Sequence, residues 1–177
     1  MSEQNPELES LKLAIKTEQD GKKMYLEAAE KVKNPLAVST FKQLAKEEDL
    51  HIEVIKKFYD TLQGEREGAL SDKLPEAMNY NLRRKTIFEA AKERMDKTVE
   101  SDPDITKAYD AALKFEEDGA NMYEELAAKT DNEKAKKLYQ FMNGQENEHY
   151  RLLDETLHYL NDPDQWFIEE EKPHFEG

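Results

Sequence analysis

The stretch KTEQDGKKMY at residues 16–25 matches KFEEDGANMY at residues 114–123, at an offset of 98 positions. At the same offset, residues 11–62 align without gaps onto residues 109–160, and 15 of the 52 pairs are identical. Downstream, Glu48 and His51 fall on Glu146 and His149. Because these polar residues all coincide at one offset, the sequence indicates two copies of one structural unit.

Each copy predicts a pair of helices, because its apolar residues recur at helical spacing. In the first copy we expect one helix from about residue 7 to 31, and a second that starts at Asn34-Pro35 and ends at Gly64–Gly68. In the second copy, Ser101-Asp102-Pro103 opens a helix, Thr130-Asp131 caps the next one, and Asn161-Asp162-Pro163 ends it.

Residues 64–103 connect the two helical hairpins, which we expect at about residues 7–63 and 104–160. Two hairpins joined by a long crossover predict an all-α, ferritin-like four-helix bundle over residues 1–163. Residues 164–177, which include Trp166, form a tail that folds back on the bundle or reaches a partner.

The crossover itself can form a further helix, from about residue 76 to 99. Its basic cluster Arg83-Arg84-Lys85 is expected to face solvent. The apolar residues of this helix are Met78, Leu82, Ile87, Ala91 and Met95.

The chain is acidic, with 40 acidic and 26 basic residues and a formal net charge of −14. Such a surface repels phosphate backbones, so nucleic-acid binding is not expected. No apolar run of about 18 residues predicts a membrane span, and residues 1–6 do not predict a signal peptide. The 177 residues contain no cysteine, which excludes disulfides, thiolate catalysis and cysteine-bound iron–sulfur centres within them. We expect a cytoplasmic protein.

Charged residues interrupt the apolar stripe of all four main helices at matching heights. Ile15 and Tyr25, for example, are core positions on either side of Glu18. An unpaired carboxylate in an apolar core costs several kcal/mol, so a group of them needs compensating cations. Lys22 is the only cation on these stripes that leans inward. The inward-facing set comprises Glu18, Glu48, His51, Glu116, Glu146 and His149.

Two divalent metal ions would balance the four carboxylates while both histidines stay neutral. The Glu-x-x-His spacing places both side chains on one helix face, about one turn apart. A carboxylate from each of two helices, with Glu-x-x-His from each of the other two, is the ligand set of di-iron and di-manganese bundles. Oxygen and imidazole ligands favour iron or manganese, and both remain open.

Two further pairs lie beside the proposed ligands. Tyr25 and Tyr123 follow Glu18 and Glu116 by two helical turns. Each tyrosine is either a core aromatic or a phenol hydrogen-bonded to a ligand carboxylate. The other pair, Glu47 and Gln145, either holds the histidine rings or faces solvent.

The ligand pattern resembles that of ferritin-like di-iron proteins, and three short sequence motifs look like those of rubrerythrin. These motifs are Glu18-x6-Tyr25, QENEH at residues 145–149 and LNDPDQWF at residues 160–167. The resemblance covers about residues 8–170. It implies a cytoplasmic homodimer that reduces hydrogen peroxide or dioxygen with electrons from a donor such as a rubredoxin.

The resemblance also implies a role for each ligand in a centre of two iron ions, with manganese as the alternative metal. Glu48 and Glu146 would bridge the two ions. Glu18 with His51 would complete one ion, and Glu116 with His149 the other.

The sequence departs from rubrerythrin at two points. No four-cysteine rubredoxin domain lies within the 177 residues, so an external donor is needed. Gly119 replaces an extra glutamate that exchanges with a histidine in rubrerythrins, which predicts a nearly symmetric site. Three functions remain open: reduction of peroxide or dioxygen, iron binding with ferroxidase or storage activity but no peroxidase turnover, and a helical interaction protein whose site is vestigial or purely structural.

Overall fold

The computed structural model describes residues 5–64, 80–92, 103–162 and 164, apart from the side chain of Lys92. Within these residues all regular structure is helical, which confirms the all-α prediction. None of the described helices has an apolar stretch long enough to cross a bilayer. The helices are α1 (Pro6–Lys31), α2 (Pro35–Leu62), α3 (Tyr80–Lys92), α4 (Pro103–Lys129) and α5 (Glu133–Asn161).

The four long helices form two hairpins that pack into a ferritin-like bundle. Helix α1 packs along α2, and α4 packs along α5. The hairpins meet through contacts of α1 with α4 and of α2 with α5. The crossover helix α3 lies against α2, where Oγ of Ser39 donates a hydrogen bond to the carbonyl of Ile87 at 3.0 Å.

The crossover differs in part from its predicted form. Of the apolar residues of this helix, Ile87 and Ala91 are buried, but Leu82 is 55% exposed because it lies on the outer face of α3. The remainder of the helix predicted over residues 76–99, with Met78 and Met95, lies outside the described residues, as does nearly all of the tail with Trp166.

Asparagine side chains cap α1, α2 and α5. Asn34 accepts hydrogen bonds from the amides of Leu36 and Ala37, as the Asn34-Pro35 start predicts. The predicted cap at Thr130-Asp131 is wrong, because Asn132 caps α5 through the amides of Lys134 and Ala135. The repeat aligns Asn132 with Asn34, so the alignment of the two copies already indicates Asn132 as the cap of α5.

The core consists of two apolar clusters with a layer of charged side chains between them. The first cluster includes Tyr25, Leu44, Tyr109 and Leu152. The second includes Leu11, Ala14, Ile55, Tyr123 and Met142. On each long helix the charged residues lie between members of the two clusters, as Glu18 lies between Ala14 and Tyr25. Burial of both clusters stabilises the bundle and holds the charged layer in place.

We expect Asn132→Ala to lower the free energy of unfolding by about 1 kcal/mol, because two amides of the first turn of α5 lose their acceptor. Urea denaturation of the metal-free protein measures the change. Asn121→Ala is the control, since Asn121 is exposed within α4 and caps no helix. Equal stabilities of the two variants would contradict the capping role.

Candidate metal centre

The six predicted ligand residues converge in the charged layer, and each is at most 5% exposed. They form two groups, in each of which four ligand atoms lie within 4.8 Å of one another. One group is Glu18, Glu48, His51 and Glu146, and the other is Glu48, Glu116, Glu146 and His149. Glu48 and Glu146 belong to both groups, so the arrangement has room for two ions that share two carboxylates.

Several ligand atoms in this layer are buried without a hydrogen-bond partner. They are both carboxylate oxygens of Glu48, Oε2 of Glu116, Oε1 of Glu146 and Nδ1 of His149. A buried polar group that lacks a partner costs about 1–3 kcal/mol, and more if it is charged. Because these atoms converge on one place, metal cations would satisfy them together. The residues present therefore fit a pair of divalent ions.

The two tyrosines contact the charged layer across the repeat. The phenol of Tyr25 on α1 donates a hydrogen bond to Glu116 on α4. The phenol of Tyr123 on α4 donates one to Glu18 on α1. Of the two interpretations of these tyrosines, the hydrogen-bonded phenol is the one observed, but each phenol binds the glutamate of the other copy. These reciprocal bonds tie the two hairpins together at the centre.

A glycine gives Glu146, one of the two shared carboxylates, its space. A Cβ atom at Gly119 would lie 2.9 Å from Oε2 of Glu146. At the equivalent Gly21, a Cβ would lie 3.5 Å from Cδ of Glu48 and 2.7 Å from the ring of Phe115. A larger residue at Gly119 would therefore displace the carboxylate of Glu146, whereas one at Gly21 would displace the ring of Phe115.

The buried cation beside the centre is Arg83 of α3, not Lys22. Lys22 pairs with Asp49 at 2.6 Å, and its side chain is 36% exposed. The expectation that Arg83 faces solvent is wrong, because its side chain is 1% exposed and its Nε donates to Glu47 at 2.8 Å. Sequence reasoning missed this residue, although Arg83, Ile87 and Ala91 follow at intervals of four and so share one face of α3.

Glu47 and Gln145 occupy equivalent positions but have different partners. Oε2 of Glu47 accepts a hydrogen bond from Nε2 of His149 at 2.9 Å. Oε1 of Gln145 instead accepts from Nη2 of Arg83 at 3.3 Å. The interpretation that these residues hold the histidine rings therefore applies to Glu47 alone.

Without metal, protons compensate part of the charge in this layer. Burial and the charge of Glu48 raise the pKa of Glu18 to about 8. Burial lowers the pKa of His51, but hydrogen bonds to Glu18 and Glu48 outweigh it and raise the pKa to about 9. Burial and neighbouring carboxylates also raise the pKa of Glu146. At neutral pH Glu18 and His51 therefore carry protons that a bound metal ion must displace.

The fold and the site define a class, the ferritin-like bundles whose buried carboxylates and histidines could hold metal ions. The family model described as Rubrerythrin matches residues 9–157 and, in a second match, residues 107–175. The chain therefore belongs to the rubrerythrin family. Neither the curated proteins nor the solved structures include a significant match. The buried cluster of glutamates and histidines is compatible with the di-iron site that the resemblance implies.

We expect Gly119→Ala to leave the metal-free protein folded but to weaken Mn²⁺ binding, because the new Cβ pushes away the carboxylate of Glu146. Thermal melts with and without Mn²⁺ measure the stabilisation that the ion provides. Gly144→Ala is the matched control, since a Cβ there meets nothing within 4 Å and only the gain in helix propensity remains. An unchanged Mn²⁺ effect in Gly119→Ala would contradict the steric role.

We expect Mn²⁺ binding to release protons at about pH 7 and its affinity to rise with pH up to about 9. The raised pKa values of Glu18 and His51 mean that both groups are protonated in the metal-free protein, and each must lose its proton to bind a cation. Calorimetry in two buffers of different ionisation enthalpy counts the released protons. Binding enthalpies that do not depend on the buffer would contradict this prediction.

Proposed function

We propose that this chain is a di-iron or di-manganese carboxylate protein that reduces hydrogen peroxide or dioxygen with electrons from an external donor. The proposal rests chiefly on one observation. Buried, unpaired ligand atoms from two copies of one sequence pattern form two groups that share Glu48 and Glu146. Membership of the rubrerythrin family supports the same chemistry.

Each ion would take one terminal carboxylate and one imidazole. Glu18 and His51 would hold one ion, Glu116 and His149 the other, and Glu48 and Glu146 would bridge them. A bound pair of redox-active ions supplies two electrons, one from each ion, and Lewis-acid sites for the oxidant. For hydrogen peroxide the balance is H₂O₂ + 2e⁻ + 2H⁺ → 2H₂O. Carboxylate and imidazole ligands suit both iron and manganese, so the identity of the bound metal is determined by experiment.

The protein's own residues orient the ligands and limit the access of water. The apolar clusters cover both ends of the charged layer. Tyr25 and Tyr123 hold the carboxylates of Glu116 and Glu18 in position. Burial, together with these nearby carboxylates, raises the pKa of both phenols well above the usual value, so each phenol keeps its proton and remains a hydrogen-bond donor.

Electrons must enter from a group outside these residues. The 177 residues contain no cysteine, and therefore no cysteine-ligated iron centre. A small one-electron carrier such as a rubredoxin is the expected class of donor, and a homodimer is the expected assembly. Two one-electron transfers would return the metal pair to its reduced state after each peroxide.

Gly119 favours the second candidate function, iron binding with ferroxidase or storage activity but without peroxidase turnover. Rubrerythrins are expected to carry at this position a glutamate that exchanges with a histidine, and a Cβ at Gly119 would already collide with Glu146. The two candidates differ in how much iron each chain takes up in air and in whether peroxide is consumed repeatedly.

We expect two metal ions per chain in the wild-type protein after anaerobic loading with Fe²⁺ and desalting. Glu18→Ala should lose one ion, and Glu146→Ala should lose both, because Glu146 belongs to both ligand groups. Elemental analysis gives the stoichiometry. The control is Glu117→Gln, which changes an exposed carboxylate next to Glu116 and should keep both ions. Two ions in Glu146→Ala would contradict the ligand assignment.

The same preparation separates the candidate functions. If the loaded protein consumes peroxide repeatedly with a reduced rubredoxin as donor, and stays at two ions per chain in air, the peroxidase proposal stands. If it takes up many ions per chain in air without repeated turnover, the storage function replaces it. If it binds neither Fe²⁺ nor Mn²⁺, both proposals fail and the interaction protein remains.

A further inference from the structure

Arg83 connects the crossover helix to both hairpins from a buried position. It donates to Glu47 on α2 at 2.8 Å, to Glu148 on α5 at 2.6 Å and to Gln145 on α5 at 3.3 Å. The second oxygen of Glu47 accepts the hydrogen bond from Nε2 of His149 at 2.9 Å. Arg83, Glu47 and His149 therefore form one continuous chain of contacts that ends at a proposed metal ligand.

The hydrogen bonds from Arg83 to Glu47 and from His149 to Glu47 fix the imidazole ring of His149, so that its Nδ1 faces the ligand group. Nδ1 of His149 lies 3.4 Å from Glu116 and 3.5 Å from Glu48, and it has no hydrogen-bond partner. Gln43 donates a further hydrogen bond to Glu47 at 3.0 Å. Nδ1 of His149 is thus oriented toward the ligand group without a hydrogen bond of its own.

The equivalent histidine of the first copy has different surroundings. The residue that corresponds to Glu47 is Gln145, which is neutral and bonds to Arg83. Among the described residues, no carboxylate contacts Nε2 of His51. Nδ1 of His51 is held by Glu18 at 2.9 Å, so an ion at this position must first break that hydrogen bond.

We propose that the two metal positions are unequal, and that Arg83 is a positioning residue that makes the position of Glu116 and His149 the tighter one. A carboxylate on the outer nitrogen of a ligating histidine orients the ring and makes it a better ligand, and loss of such a partner costs about 10–100-fold in metal affinity. Arg83 anchors Glu47 and balances its charge. The crossover helix thereby determines which of the two positions fills first.

This inference rests on the proposed metal centre, and a titration of the metal-free protein with Mn²⁺ tests it. Calorimetry should show two steps whose affinities differ by about tenfold or more. His149→Ala should remove the tighter step, and His51→Ala the weaker one. The reverse assignment, or two steps of equal affinity in the wild-type protein, would overturn the inference while leaving the metal centre intact. No binding at all would overturn the proposed function instead.

Arg83→Gln should weaken the tighter step about 10–100-fold and leave the weaker step unchanged. A merely structural role would weaken both steps together, and that result would overturn the assignment of Arg83. Arg84→Gln is the matched control, because Arg84 is the neighbouring arginine on α3 and pairs through Nε with Glu155 on α5. It should leave both steps unchanged.

Glu47→Gln keeps the inference testable if the loss of Arg83 prevents folding. This substitution preserves the shape of the side chain and makes the position identical to its repeat equivalent, Gln145. It should bring the two Mn²⁺ affinities together by weakening the tighter step alone. Unchanged steps in Glu47→Gln would overturn the inference, and a thermal melt of the metal-free variant checks that it is folded.

Discussion

The cost of burying four carboxylates in the middle of a helical bundle governs this structure. The two apolar clusters hold Glu18, Glu48, Glu116 and Glu146 away from water, where their charges repel one another. Protons on part of the group reduce that repulsion in the metal-free protein, and metal ions would replace those protons. The helix pairing, the tyrosines and the glycines all serve to hold this charged layer at one place.

The two copies of the sequence complete one another at the centre. Tyr25 binds Glu116 and Tyr123 binds Glu18, so neither hairpin alone provides a finished set of contacts. Glu48 and Glu146 likewise each belong to both ligand groups. Association of the hairpins and formation of the site are therefore the same event, and ligand substitutions act on both.

The crossover helix makes the pseudo-symmetric centre asymmetric. Its Arg83 supports Glu47 and through it His149. Gln145, the repeat equivalent of Glu47, bonds to Arg83 instead, so His51 has no such carboxylate behind it among the described residues. The ligands themselves follow the repeat, as the sequence pattern predicts, but the residues behind them do not. The two proposed metal positions would therefore have the same types of ligand and differ in how firmly their histidines are held.

The sequence by itself determined the helices, the repeat and which residues point inward, because helical periodicity and a fixed offset are local properties of the chain. It placed Glu18, Glu48, His51, Glu116, Glu146 and His149 on core faces. The partner of each tyrosine, the close contact at Gly119 and the burial of Arg83 depend on how separate helices pack against one another. Only the tertiary structure decided them, since residues about 27 to 105 positions apart in sequence meet there and no local pattern encodes their pairing.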